Sequence, residues 1–156
     1  MNAKMHTGRR LAMLASVLLL ADLVVATDAL AQQGRGRGWS PGSPYDCMYD
    51  PTTAEIWSGV VVQVKSVAPR RGMSGGIHVV LKTETETVPV HLGPAWFIEN
   101  QDRQIQEGDE IEVLGSRITF ENEPAILAAG VRLGEETLRL RDQSGLPVWR
   151  GWQRQR

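Results

Sequence analysis

The chain has 156 residues and a formal net charge of −1, which favours one folded domain and argues against a dedicated, strongly basic nucleic-acid binder. Its single cysteine, Cys47, excludes an internal disulfide, so the fold depends on its hydrophobic core. No Cys-x-x-Cys-His motif occurs in the sequence, which excludes covalent haem attachment.

Residues 1–31 have the pattern of a cleaved secretory signal peptide. The pattern has a positive start, an apolar run and a small-x-small cleavage site, which are Lys4, Arg9 and Arg10, then Leu11 to Val25, then Ala29-Leu30-Ala31. The apolar run is short for a membrane span and contains Asp22. Cleavage would leave 125 residues with 14 basic and 16 acidic side chains, a net charge of −2. The sequence therefore predicts a periplasmic or secreted protein with no transmembrane helix after cleavage.

A flexible linker and lead-in are predicted for residues 32–54. Gln32 to Pro44 is rich in Gly, Pro and Ser, a composition that buries too little apolar surface to order itself. Tyr45 to Thr53 is predicted to lay its aromatic side chains onto the folded body. Cys47 lies in this lead-in, where it could pair with a partner, ligate a metal ion or remain a free thiol.

The folded domain is predicted for residues 55–152, followed by a basic tail at 153–156. Period-2 alternation predicts five strands, at Ile56–Val67, Ile77–Thr83, Thr87–Leu92, Glu110–Phe120 and Ala125–Leu133. Gly93-Pro94 changes the period and opens a short helix over 95–101. Gly115-Ser116 predicts a bulge within the fourth strand. A last hairpin is expected from 137–141 and 146–149, around the turn at 142–145.

This order of elements predicts an all-β fold. Five strands with one short helix between the third and fourth are typical of the OB-fold, a partly open Greek-key barrel, here followed by a C-terminal hairpin. The main alternative is another small β-barrel or sandwich with the helix as a surface turn.

Several motifs also resemble a family of exported bacterial OB-fold proteins. They are Tyr49-Asp50-Pro51, the stretch from His91 to Phe97, Gly108-Asp109, Gly115-Ser116 and the segment from Leu140 to Trp149. The family is similar to the periplasmic bacterial OB-fold stress proteins and to the domain of magnetosome proteins of the MamS/MamX type. The resemblance covers about Tyr49 to Trp152 and implies the fold, but it supplies no catalytic residues.

Two histidines form a candidate metal site. His78 and His91 lie on neighbouring predicted strands, at positions that the Glu84-Thr85-Glu86 turn would place opposite each other. Two imidazoles make an incomplete site for a transition metal, so a third ligand would come from Glu112, Cys47, Met48 or solvent. The alternative is two unrelated histidines, one of which hydrogen-bonds to hold the strand-to-helix turn.

Two surfaces could bind a macromolecule. The first is the outward side of strands two and three with the loop 69–76, where the predicted ligand-binding residues are Arg70, Arg71, His78, Lys82 and His91. The second is a basic, aromatic patch of Trp149 and Trp152 with Arg139, Arg141, Arg150, Arg154 and Arg156. The alternative is a solvated surface with the C-terminal tail lying on the barrel, which explains the same residues. Of Trp96 and Phe97, by contrast, at least one is expected to fill the barrel core.

The sequence predicts a non-enzymatic binding module for a protein or anionic polymer partner in the cell envelope. No nucleophile pattern, phosphate loop or metalloprotease motif supports an enzyme, no cofactor is required, and a nucleic-acid partner is disfavoured by export and by the acidic balance. The alternative is a metal-handling or redox-accessory domain that uses His78 and His91.

Overall fold

The computed structural model describes residues 37–69 and 72–154, with side chains described for 38–69 and 72–151. The predicted signal peptide, Arg70, Arg71 and the last two residues lie outside the described residues. Among the described residues, no helix has the length and apolar character that spanning a membrane requires.

Six strands and one short α-helix make up the folded unit. The strands are β1 (Ala54–Val67), β2 (Gly76–Lys82), β3 (Thr87–Pro94), β4 (Glu110–Phe120), β5 (Glu123–Leu133) and β6 (Glu136–Arg139). The helix, α1 (Ala95–Ile98), lies between β3 and β4. Short 3-10 helices occur at Arg37–Trp39, Asp46–Met48, Pro51–Thr53 and Val148–Arg154.

The first five strands pair in a ring. β1 pairs antiparallel with β2 and with β4, β2 pairs with β3, and β4 pairs with β5. A parallel contact between β3 and β5, at Val90–Ile126 and His91–Leu127, closes the ring. This connectivity, with α1 between β3 and β4, is that of the OB-fold, so the predicted all-β, OB-fold-like class is confirmed.

Two glycines allow the strands to bend into the barrel. A Cβ on Gly59 would collide with the backbone carbonyl of Lys82, where β1 leaves β4 and turns to follow β2. At Gly115 the register between β4 and β5 shifts, and a Cβ there would lie 2.6 Å from the Cγ2 of Ile126. The interruption is therefore confirmed at the predicted place, but the bulge belongs to β5: Leu114 is opposite Gly130 and Gly115 is opposite Ala128, which leaves Ala129 as the extra residue.

The core is filled from alternate positions of the strands and from α1. Fully buried side chains include Val79, Leu81, Val90, Val113 and Ile126. Phe97 is 4% exposed and packs in this core, as the sequence predicts, whereas Trp96 is only half-buried against it. The helix ends at Ile98 rather than near Gln101.

The lead-in, defined from here on as residues 38–53, is part of the folded body. Trp39 is 3% exposed and Tyr45 is 7% exposed, and both belong to the core cluster. The lapping of the lead-in aromatics is therefore confirmed, but the flexible linker predicted to continue to Pro44 is wrong from residue 38 onward. The burial of one large indole outweighs the poor local ordering propensity of a Gly/Pro-rich segment.

The predicted C-terminal hairpin is also wrong in part. β6 pairs with β5, and only an isolated bridge joins Arg141 to Pro147. The Asp142 carboxylate accepts hydrogen bonds from the backbone N–H groups of Ser144 and Leu146. These bonds tighten the turn, and the chain then enters the 3-10 helix Val148–Arg154 instead of a returning strand.

Candidate functional site

His78 and His91 lie side by side on the outer face of β2 and β3. They are register partners in the hairpin, and their rings stack with centroids 3.7 Å apart and planes 11° apart. The prediction that the Glu84-Thr85-Glu86 turn brings the two imidazoles together is confirmed.

Tyr45 from the lead-in closes this pair from outside. Its hydroxyl hydrogen-bonds to Nδ1 of His91 at 2.8 Å, and its ring lies nearly parallel to the imidazole with the ring centroids 5.9 Å apart. Burial, and secondarily the neighbouring His78, lowers the pKa of His91 to about 3, while burial raises the pKa of the Tyr45 hydroxyl. Both groups are therefore neutral at pH 7, and the hydrogen bond joins two uncharged partners.

This arrangement does not favour the predicted metal site. In a parallel stack the lone pairs of the two rings lie in separate, nearly parallel planes, whereas two ligands of one ion must aim at a common point about 2 Å away. Tyr45 already engages Nδ1 of His91, and Cys47 is exposed. Within residues 38–69 and 72–151, no group of three or more His, Cys, Asp or Glu side chains is placed to hold a metal ion.

The lead-in covers the face on which an OB-fold usually binds its ligand. The Trp39 indole donates to the Ser74 carbonyl at 2.9 Å, and its ring lies where a Cβ on Gly76 would approach it to 2.7 Å. Between the lead-in and the start of β2, a cavity of only about 30 Å³ remains, room for about one water molecule. Of the residues predicted to bind on this face, His91 is buried, His78 is half-buried, and Lys82 is exposed at the far end of β2.

A buried ion pair fastens the same lead-in to the C-terminal turn. Nη1 of Arg141 lies 2.6 Å from Oδ1 of Asp46, and the two side chains are 1% and 10% exposed. The same Nη1 donates to the carbonyl of Gly145 at 2.7 Å. The guanidinium also lies over the Tyr49 ring, 4.8 Å from its centroid.

The predicted basic, aromatic patch near the C-terminus is wrong for Trp149 and Arg141, whose side chains are buried. Trp149 is 2% exposed and donates from Nε1 to the Trp39 carbonyl at 2.9 Å. Arg141 is buried against Asp46, and Arg150 pairs with Asp142 at 2.9 Å. The tryptophan enters the core because the close approach to Gly93, where a Cβ would lie 2.9 Å from the ring, leaves room for it. The backbone of Trp152 lies in the last 3-10 helix, and its side chain lies outside the described residues.

A different face carries the exposed apolar surface. Ile56, Val60, Val62 and Leu114 are 70%, 37%, 44% and 46% exposed, and Ile56 pairs in register with Leu114 across β1 and β4. Monomeric proteins expose single apolar side chains routinely, whereas grouped ones mark interaction sites. Sequence reasoning missed this strip, although the run Val60-Val61-Val62 is apolar on both sides of a strand that needs only one apolar side.

A shallow groove of about 930 Å³ lies beside this strip and is lined by Ile56 and Val60 from it; its volume is near the upper end of the usual range for ligand pockets. We call the surface around it the β1–β4 face. It comprises Ile56, Ser58 and Val60 of β1, Glu110, Glu112 and Leu114 of β4, and the adjoining Lys82, Glu84 and Arg132. Arg132 forms an ion pair with Glu112 across the groove.

The folded body is strongly acidic. Residues 38–69 and 72–151 contain sixteen acidic and eight basic side chains, and four of the basic ones pair with carboxylates, namely Arg117, Arg132, Arg141 and Arg150. The remaining basic residues of the predicted mature chain are arginines in the terminal segments and in the loop between β1 and β2. The described surface therefore repels polyanions and attracts basic groups.

The profile of the MamS/MamX magnetosome protein family matches residues 53–138, more than half of the chain. No curated protein matches it.

Two solved structures show a distant likeness. One is the second OB-fold domain of replication protein A from Methanococcus maripaludis, with 21% identity over 55% of this chain and 88% of that chain and a TM-score of 0.39. The other is the Stn1–Ten1 complex of S. pombe, with 15% identity over 74% of this chain and 87% of that chain and a TM-score of 0.37.

Proposed function

We propose that this chain, which belongs to the MamS/MamX magnetosome protein family, is a non-enzymatic OB-fold module that binds a protein partner in the cell envelope. The observation that carries the proposal is the exposed aliphatic strip of Ile56, Val60, Val62 and Leu114 beside the groove of about 930 Å³. The envelope location rests on the signal peptide predicted for residues 1–31, and the non-enzymatic role rests on the lack of catalytic motifs in the sequence.

A protein partner suits the described surface better than an anionic polymer does. The excess of carboxylates would repel a polysaccharide or a nucleic acid. The grouped exposed side chains are aliphatic, whereas single-stranded nucleic acids are held by exposed aromatic rings in a basic groove. Burial of Ile56 and Leu114 under a partner would remove apolar surface from water at about 25 cal/mol per Å².

The metal-handling alternative would require a rearrangement. His78 and His91 would have to leave their stack, and His91 would have to exchange the Tyr45 hydroxyl for a metal ion.

The test is a comparison of captured proteins. The purified chain is immobilised and exposed to solubilised envelope from its source cells, and retained proteins are quantified by mass spectrometry. Ile56→Asp combined with Leu114→Asp should abolish retention of the partner, because two carboxylates would have to be desolvated in the interface. The matched control is Ser66→Asp with Thr119→Asp, at exposed strand positions outside the groove, and it should retain the partner.

Both double variants should keep the melting temperature of the wild type within a few degrees, because all four side chains are exposed. Retention of the same protein by the Ile56→Asp, Leu114→Asp variant would overturn the proposal.

A further inference from the structure

The β1–β4 face also indicates the chemistry of its occupant. We infer that it binds an extended segment of a partner protein in which aliphatic residues are accompanied by lysines or arginines. This inference rests on the proposed function and adds the class of partner to it.

The aliphatic residues of the bound segment are expected to contact the protein at one end of the groove, near Ile56. Ile56 and Leu114 stand next to each other across the β1–β4 pairing, and Leu114 is opposite Gly130 of β5. A Cβ built at Gly130 would lie 3.5 Å from the carbonyl of Leu138 and would contact no side chain. Because Gly130 itself has no side chain, the surface beside Leu114 is open on the β5 side. Aliphatic side chains of a bound strand can therefore lie on Ile56 and Leu114 and bury apolar surface.

The basic residues of the bound segment are expected to contact the protein at the other end of the groove, near Val60. Val60 is in register with Glu110 on one side and with Lys82 on the other, and Glu84 lines the same groove from the β2–β3 turn. At the centre, Arg132 is already paired with Glu112. The groove lining carries three carboxylates, Glu84, Glu110 and Glu112, against two cations, Lys82 and Arg132. This excess of negative charge draws an incoming cation toward Glu84 and Glu110, and the acidic body reinforces the attraction at long range.

The test is selection of peptides from a random display library on the purified chain at low salt. Peptides enriched on the wild type should combine Ile, Leu or Val with Lys or Arg, and raising the NaCl concentration from 50 mM to 500 mM should weaken their binding about tenfold or more, since exposed charges are screened. On Glu84→Lys with Glu110→Lys, the same peptides should bind at least tenfold more weakly, and acidic, aliphatic peptides should be enriched instead.

The matched control is Glu123→Lys with Glu136→Lys, which changes the net charge equally at exposed positions outside the groove. It should select the same basic peptides as the wild type. Peptides without a basic bias, or basic peptides equally weakened by the control, would overturn the inferred chemistry while leaving a binding face in place.

Two other outcomes are distinguishable. Enriched peptides that bind the Ile56→Asp, Leu114→Asp variant unchanged would show that the face itself is wrong, and the proposed function would fall with it. A dimer in sedimentation velocity that this variant dissolves would assign the face to a second copy of the chain, and the inference of a separate basic partner would be overturned.

Discussion

At the scale of single residues, neutral His91 is the main source of pH sensitivity in the described core. Burial and the stacked His78 hold its folded pKa at about 3, whereas an unfolded histidine has a pKa of about 6.5. Between pH 6.5 and pH 3 the unfolded state therefore binds more protons at this histidine than the folded state does. The free energy of unfolding is therefore not reduced by His91 above pH 6.5, and it decreases as the pH falls from 6.5 toward 3. The other groups that face His91 are the Tyr45 hydroxyl and the Phe120 ring, neither of which carries charge there.

This reasoning predicts a loss of about 4 kcal/mol in the free energy of unfolding between pH 7 and pH 3 from this one histidine. Urea denaturation of the wild type and of His91→Gln, measured at half-unit pH steps, separates its contribution from that of the carboxylates. The variant should be less stable at pH 7 but should lose less stability on going to pH 4.5. Parallel pH profiles would show that His91 does not titrate as described.

A second prediction concerns the ion pair of Arg141 and Asp46. Removal of one partner leaves an uncompensated charge at a site where the guanidinium is 1% exposed. Arg141→Ala is expected to lower the free energy of unfolding by about 3–5 kcal/mol. Arg150→Ala breaks a pair that is mostly exposed and should cost about 1 kcal/mol or less. Equal costs in chemical denaturation would contradict the difference in burial.

The neighbourhood of His78 and His91 could be predicted from the sequence, because a tight turn fixes the register of the hairpin that it closes. The cover over them could not be predicted. Trp39 and Tyr45 lie 52 and 46 positions before His91, and the pattern of a Gly/Pro-rich segment carries no information about which distant pocket its aromatic residues fill. The same limitation explains Trp149, whose basic neighbours suggested exposure although a space beside Gly93 accommodates its ring.

At the scale of elements, β1 is the strand that joins the two halves of the barrel. The strand predicted at Ile56–Val67 is confirmed as a strand of 14 residues, and the structure adds a bend at Gly59. The second apolar side of β1 is visible in the sequence as the run Val60-Val61-Val62. In a closed barrel one side of each strand faces the core, so apolar residues on both sides of β1 indicate an external contact.

The bend in β1 predicts that alanine at Gly59 destabilises the protein much more than alanine at Gly130 does. Gly59→Ala would drive a Cβ into the carbonyl of Lys82, a backbone atom that cannot move aside, so the melting temperature should fall by roughly 10 °C or more, as for a loss of 2–3 kcal/mol. Gly130→Ala, where the nearest atom is at 3.5 Å, should change it by only a few degrees. A mild effect of Gly59→Ala in differential scanning calorimetry would contradict the close crossing of the strands.

At the scale of the whole molecule, the barrel uses its own N-terminal segment to cover one face and leaves another exposed. The lead-in supplies Trp39 and Tyr45 to the core and Asp46 to the buried ion pair. The OB-fold class, five of the strands and the helix position could be predicted from periodicity and turn residues. Which face is covered and which is exposed could not be predicted, because this depends on where the lead-in packs, and its Gly/Pro-rich sequence does not indicate that place.

Because the lead-in contributes to the core, a single substitution in it should have a large effect on the free energy of unfolding. Trp39→Ala should cost about 3–5 kcal/mol, the usual range for removal of a fully buried tryptophan. Trp96→Ala, which removes a half-buried indole, should cost clearly less. If both substitutions shift the urea midpoint equally, the lead-in does not form part of the cooperative core.

The most direct test of the central claim is hydrogen–deuterium exchange of the chain with and without its captured partner. If the β1–β4 face is the binding surface, protection should rise in peptides that cover residues 54–62 and 110–114, while exchange in the lead-in and in β3 stays unchanged. Protection confined instead to residues 72–82, to β3 and to the lead-in would show that the partner displaces the cover and binds at the histidine face. That result would contradict the account.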